Sequence, residues 1–256
     1  MKTFLAFFKK ELLESLRRKR VLILGIIFVV LGFLGPFMTW VTPILFELLS
    51  AELEGSGMAI TSLTVNAVTS WAQFFENISM AMIAFFFICC GSFTKEYSSG
   101  TLILVLTKGL ARFKVLLSKL SIMALLWTGC YWVCFFITYA CNAVLWDNGA
   151  AENLALTAIN WWVFGIFIVC LIVFFSAVAK GYVGVMLGGA GTVFGFLILS
   201  IIPRVSEYFP TALMNYSSLL LGLQSAVDYI APLIITLGLS AACVIFGIRI
   251  FNKKEL

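Results

Sequence analysis

One carboxylate of this sequence stands inside an apolar run. Glu76 lies within the stretch 71–93, with Gln73 and Asn77 close by. An ionisable group so placed either faces a polar cavity or snorkels to the nearest water. In a cavity it could bind an ion, relay a proton or meet a polar part of a cargo. Gln73, Glu76 and Asn77 are therefore the candidate substrate-path residues. Other chemistry is sparse. The chain has seven cysteines and no histidine, which removes H-E-x-x-H zinc sites, Ser-His-Asp and Cys-His devices, and histidine proton relays. Cys130 and Cys134 share a helical face, yet no nearby carboxylate completes a metal set. No apolar run has Asp at its centre, and Lys occurs only at run ends. Neither catalytic nor metal-ligating residues are expected.

The second candidate is a docking surface. Residues 94–119 read TKEYSSGTLILVLTKGLARFKVLLSK, a basic, glycine-punctuated segment between two long apolar runs. A mere polar connector has no use for Leu102, Val105 and Leu106 at i, i+3 and i+4 unless something docks on that face. Ser99 or Thr101 can cap the start of a short helix, and Gly109 can close it in the left-handed conformation. The spacing predicts a coupling element between a membrane domain and a separate soluble partner.

The elements that position these residues follow from composition. Of 256 residues, 62% are hydrophobic and 11% charged, whereas a soluble domain carries about 25% charged residues. Six runs, at 21–45, 71–93, 115–145, 156–178, 182–202 and 229–250, are long enough to cross a hydrocarbon core of about 30 Å as helix. None shows the alternation of a transmembrane strand. The fold expected is an all-α integral membrane protein with six spans in a single domain covering residues 1–256. The third run is long enough to begin as a cytoplasmic helix and to tilt.

Charge fixes the orientation. With the N-terminus inside, sixteen of the seventeen basic residues fall on inner segments, leaving only Arg204 outside. The positive-inside rule requires this bias, so both termini are expected in the cytoplasm. Outer segments carry Glu47, Glu52, Glu54, Asp147, Glu152, Glu207 and Asp228. The net charge of +5 thus describes a basic inner rim beside anionic membrane lipid, not a nucleic-acid partner. The cysteines fall inside or at the ends of spans, where they act as small apolar residues rather than a disulfide framework.

Residues 1–20 read as a basic amphipathic helix. Leu5, Phe8, Leu12 and Leu16 line one face, and Lys10–Glu14 and Glu14–Arg18 are i,i+4 pairs. It should lie on the inner surface. It is read as retained, because the following run is too long for a signal-peptide core. Residues 46–70 form the first outer segment, and spans four and five make a tight hairpin at 180–181. Residues 203–228, interrupted by Pro203, Pro210 and Gly222, should form short re-entrant helices in the outer leaflet rather than a seventh span. Span five carries Gly184, Gly188, Gly191 and Gly195, which permit close helix contact inside the bundle or across a paired copy.

The run Lys95-Glu96-Tyr97-Ser98-Ser99-Gly100-Thr101-Leu102, followed by Leu106, Arg112 and Lys119, resembles the membrane subunits of ATP-binding-cassette (ABC) transporters of the type-2 permease family. Those permeases carry a glutamate, Gly-Thr, a leucine-rich turn, a basic residue and a lysine after span two. The layout agrees along essentially the whole chain. In that family the loop is a coupling helix seated in a groove of the ATPase subunit. The resemblance therefore implies that Glu96, Gly100, Thr101, Leu102, Val105, Leu106 and Arg112, within a coupling loop at 94–114, engage an ABC ATPase. Gly109 stands where the family often has proline, and Ile103 where an acidic residue often follows Gly-Thr-Leu; both bear on loop rigidity or partner choice.

The chain contains no G-x-x-x-x-G-K-[ST], so ATP and Mg²⁺ would sit on the partner subunit. The resemblance also implies a second permease copy or a close relative, in a bacterial cytoplasmic membrane. An interior with 25 Phe and 7 Trp suits an amphipathic or hydrophobic cargo, a peptide first, a lipid or drug next, moved outward. The alternative is an ion- or proton-coupled secondary transporter or channel built on Glu76. Paired inverted repeats would favour it, and none is evident.

Overall fold

A computed structural model describes residues 2–17, 19–53, 65–98, 111–179, 181–202 and 206–254. The described residues form helices and turns, with no strand among them. In chain order the α-helices are α1 (Lys2–Arg17), α2 (Arg20–Leu53), α3 (Ala67–Ser98), α4 (Arg112–Leu145), α5 (Leu154–Val178), α6 (Tyr182–Leu199), α7 (Tyr216–Leu220) and α8 (Ile230–Lys253). Short 3-10 turns occupy Asn148–Ala150, Pro210–Met214 and Ala226–Tyr229. Six segments are long and apolar enough to cross a membrane, and they coincide with the six runs of the sequence. At 34 residues, α4 is about 50 Å long and overhangs a core of about 30 Å.

The expected outer segment at 46–70 opens as helix, because α2 continues to Leu53. Residues 46–53 are leucine, glutamate and alanine in the main, strong helix formers once a helix is under way. Prolines 36 and 43 both lie inside α2 without ending it. Pro36 cannot donate to the carbonyl of Gly32. Thr138 Oγ1 of α4 donates there instead, at 2.8 Å, against 3.2 Å to its own Cys134 carbonyl. A neighbouring helix thus satisfies the acceptor that proline orphans, as lipid-buried backbone requires. Gly32 makes this approach possible, since a Cβ there would lie 3.0 Å from the Cys134 carbonyl oxygen.

The most buried span is α5, which packs against α3, α4, α6 and α8. Its seam with α4 is built around Trp127, whose ring meets Phe28, Phe85 and Tyr131. Gly165 leaves room for that indole, because a Cβ would stand 2.0 Å from Trp127 Cε2. Polar atoms stitch the same seam. Trp127 Nε1 donates to the Trp162 carbonyl at 3.1 Å, Trp162 Nε1 to Thr128 Oγ1 at 3.0 Å, and Tyr131 Oη to the Ala158 carbonyl at 2.7 Å. Such interhelical bonds are worth about 0.6–2 kcal/mol each in a bilayer. Outward faces of α2, α6 and α8 expose Phe33, Phe37, Leu187, Phe194, Ile234 and Phe246, as a lipid-facing surface does.

The bundle has a basic and an acidic end. Arg20, Arg112, Lys119, Lys253 and Lys254 gather at one, where contacts join α1, the starts of α2 and α4, and the ends of α3, α5 and α8. Asp147, Glu152, Glu207 and Asp228 belong to connections at the other. The described part of 203–228 makes no seventh span. Its short helices fold back onto α3, α5, α6 and α8, burying Leu213, Leu219 and Leu220 and setting Phe209 against Phe196 at 5.4 Å.

Candidate functional site

At the basic end the docking segment itself lies outside the described residues: Gly100, Thr101, Leu102, Val105 and Leu106 fall within 99–110. Its two anchors are described. Glu96 belongs to the last turns of α3, and Arg112 opens α4. Arg112 Nη1 donates to the carbonyls of Phe251, at 3.3 Å, Asn252, at 3.4 Å, and Lys254, the last turn and exit of α8. Those carbonyls have no acceptor role left within the helix, and a cation is favoured at the negative end of its dipole. Lys254 Nζ does the same for α5, donating to the carbonyls of Ala177, Val178 and Ala179 at 2.9, 3.3 and 3.0 Å. The start of α4 is thereby tied to the ends of α8 and α5.

Two further contacts complete this end. Arg20 Nη1 donates to Ser92 Oγ at 2.9 Å, joining α2 to α3. Lys119 is only 2% exposed and bonds Glu11 Oε2 at 2.8 Å. Glu11 also meets Lys10 at 3.0 Å, and Lys10 pairs with Glu14 at 2.9 Å as the i,i+4 spacing predicts. The face of α1 that packs inward is thus Phe7, Glu11 and Ser15, while Leu12 and Leu16 remain exposed. The ion pair rather than the leucines holds α1 to α4. Sequence periodicity marked the apolar face and missed this polar one, although a glutamate flanked by Phe7 and Leu12 was its signal.

Toward the acidic end, α3 brings Gln73, Glu76 and Asn77 onto one face, at i, i+3 and i+4. Gln73 Nε2 lies 3.5 Å from Glu76 Oε2 and 3.4 Å from Asn77 Oδ1. A fourth residue was not foreseen: Tyr216 Oη donates to Glu76 Oε1 at 3.1 Å, and its ring stacks on Phe75 at 5.5 Å. Burial, and then the Glu76 carboxylate beside it, push the Tyr216 hydroxyl above its usual range. Glu76 is exposed, whereas Asn77 is 4% exposed and its Nδ2 has no partner among the described residues. The arrangement is a latch between α3 and the re-entrant segment, open to one side.

Among the described residues no cluster of metal-ligating side chains exists. The seven cysteines are free. The span-five glycines divide. A Cβ on Gly188 would stand 2.3 Å from the Phe175 ring and one on Gly184 2.8 Å from Ala179 Cβ, while Gly191 and Gly195 meet nothing within 4 Å. Gly184 and Gly188 therefore serve packing inside the chain, and Gly191 and Gly195 are open.

Comparison with known proteins agrees with this architecture. No curated protein matches the chain. The family model described as ABC-2 family transporter protein matches residues 5–256, which takes in all six spans, the segment between α3 and α4 and the short helices before α8. The chain therefore belongs to the ABC-2 family of transporter proteins.

Proposed function

We infer that this chain is the membrane-spanning subunit of an ATP-driven exporter whose hydrolysis takes place on a separate ABC ATPase. The family supplies the coarse statement: a multi-pass membrane component of transport rather than a catalyst. The observation that carries the finer one is the clasp of Arg112 on the end of α8. A segment meant only to connect α3 to α4 does not require that its exit be bonded to another span. A segment that receives a push does, because the clasp passes displacement from residues 99–110 into α8 and, through Lys254, into α5.

In this reading Leu102, Val105 and Leu106 form the knob that enters the ATPase groove, Gly100 and Thr101 shape its approach, and Glu96 and Arg112 bound it. ATP and Mg²⁺ belong to that partner. Two permease copies, or one copy and a close relative, flank the cargo path in a bacterial cytoplasmic membrane, with both termini inside. The aromatic interior favours an amphipathic or hydrophobic cargo, a peptide before a lipid or drug. Glu76 stands alone as a carboxylate in its span and is tied to Tyr216, which favours a role in holding the outer segment over one as a coupling-ion site.

The test is the double substitution Leu102→Asp with Leu106→Asp. Burying a leucine is worth about 1.5–3 kcal/mol, so two charges there should abolish the interface while leaving membrane insertion unchanged. The expected result is loss of the co-purifying ATPase, or hydrolysis without transport. A double variant that keeps its ATPase and normal transport would refute the assignment.

A further inference from the structure

The acidic end holds a cavity of about 770 Å³ between the ends of α6 and α8 and the re-entrant segment. This volume is within the range of pockets that enclose drug-sized molecules. Its wall carries two carboxylates, Glu207 and Asp228, and no lysine or arginine among the described residues. Arg204 lies outside those residues, and even counting it leaves one carboxylate in excess.

The two carboxylates are prepared differently. Asp228 is fixed, its Oδ2 accepting from the Ser225 N–H and Ser225 Oγ, each at 3.1 Å. Its other oxygen takes no hydrogen bond among the described residues. Glu207 is exposed and has no hydrogen bond or ion pair among the described residues. Deeper in the wall, Thr211 is 8% exposed, and its hydroxyl has no partner among the described residues. A buried hydroxyl without a partner is an exception in folded proteins and asks for one. Tyr229 Oη lies 2.7 Å from Gln224 Oε1 and 3.1 Å from the Asn215 carbonyl, so that part of the wall is already satisfied and rigid. Leu197, Met214 and Pro232 supply apolar surface to the same space.

We propose that this cavity binds an organic ammonium or guanidinium group carried on an apolar body, with Glu207 and Asp228 neutralising the cation and Thr211 meeting a neighbouring polar atom. Lysine or arginine side chains of an amphipathic peptide have this chemistry, and so does the ethanolamine headgroup of a lipid. That the ligand is cargo rests on the exporter reading. Binding itself requires neither ATP nor a partner, so its failure would leave that reading intact. Normal binding without ATP-driven transport would instead count against that reading.

The experiment uses the full chain in phosphatidylcholine nanodiscs and the fluorescence anisotropy of a labelled amphipathic peptide bearing one lysine. The control peptide has glutamine at that position. Wild-type protein should bind the lysine peptide at least tenfold more tightly than the control. Glu207→Gln should weaken it about fivefold, and Glu207→Gln with Asp228→Asn should erase the preference. Thr211→Val, which removes no protein hydrogen bond, should weaken it without lowering thermal stability. Nanodiscs with half phosphatidylethanolamine identify the source. If the headgroup is the resident ligand, apparent peptide affinity falls in them for wild type and not for the double variant. Equal affinity for the two peptides, or unchanged affinity in all three variants, would overturn the proposal.

Discussion

Separating Glu11 from Lys119 should be among the costliest single changes in this chain, and removing both should cost little. The two side chains are 7% and 2% exposed and 2.8 Å apart. With Glu11→Leu, the Lys119 ammonium stays buried and loses this carboxylate, a type of change that costs about 3–5 kcal/mol. With Lys119→Leu, Glu11 keeps the half-exposed Lys10 at 3.0 Å, so the loss should be smaller, about 1.5–3 kcal/mol for a charged hydrogen bond. In the double variant two leucines occupy the site, and replacement of a buried pair by apolar residues is near neutral or stabilising. The coupling energy from the cycle should therefore be at least about 3 kcal/mol. Helicity can be followed as the protein unfolds from mixed micelles with increasing denaturing detergent. Additive single changes, each below about 0.5 kcal/mol, would mean that the pair is solvated and that α1 is held by something else.

Three other outcomes follow from the same geometry. Arg112→Ala should leave ATPase binding and hydrolysis in place while transport per ATP falls severalfold. Arg112→Lys should be intermediate, because it keeps the positive charge at the end of α8 but on a shorter side chain without the planar guanidinium fork; an unaltered coupling ratio in Arg112→Ala would refute the clasp. Gly188→Leu should destabilise the chain by collision with Phe175, whereas Gly191→Leu should preserve the fold and weaken pairing if copies meet there, as read by cross-linking in native membranes. Glu76→Gln should change the alkaline limb of stability. The raised Tyr216 hydroxyl contributes stability that is present below about pH 10 and lost as pH rises through its folded value. The variant should therefore lose less than wild type as pH rises above about 10, and identical melting curves above that pH would show that the latch is not formed.

The six spans were legible because lipid imposes one strong condition, about 20 apolar residues per crossing, and each run satisfied it. The end of α2 was less legible. The reach of α2 to Leu53 is set by local propensity, which composition averages away. Gln73, Glu76 and Asn77 were found as a group because one helix carries them. Tyr216 was not, since 140 residues separate it from Glu76 and no periodicity spans that interval. Arg112 and Lys119 show the opposite limit. Their charge grouped them with the other basic residues at one end of the bundle, but charge alone does not distinguish a docking contact from a helix clasp or a buried ion pair. Gly188 and Gly191 look alike in the sequence, and only the position of Phe175 separates a packing residue from an open one.

The two ends of the bundle are joined by the same pair of helices, which bears on how a push from below could reach a ligand above. The helix α8 has 24 residues and so extends about 36 Å as a single stiff rod. Its lower end is held by Arg112, and its first turns, with Tyr229, Ala231 and Pro232, form one wall of the acidic cavity. The lower end of α5 is held by Lys254, and just before its upper end the Glu152 N–H donates to the Leu220 carbonyl at the end of α7. A close-packed bundle deforms by shifting such rods rather than by local softening. Displacement of α4 at Arg112 should therefore move the cavity wall through α8 and the re-entrant segment through α5. On the exporter reading, linkage requires that whatever nucleotide binding by the ATPase does to the affinity of the cavity, occupancy of the cavity does to nucleotide affinity, by the same factor.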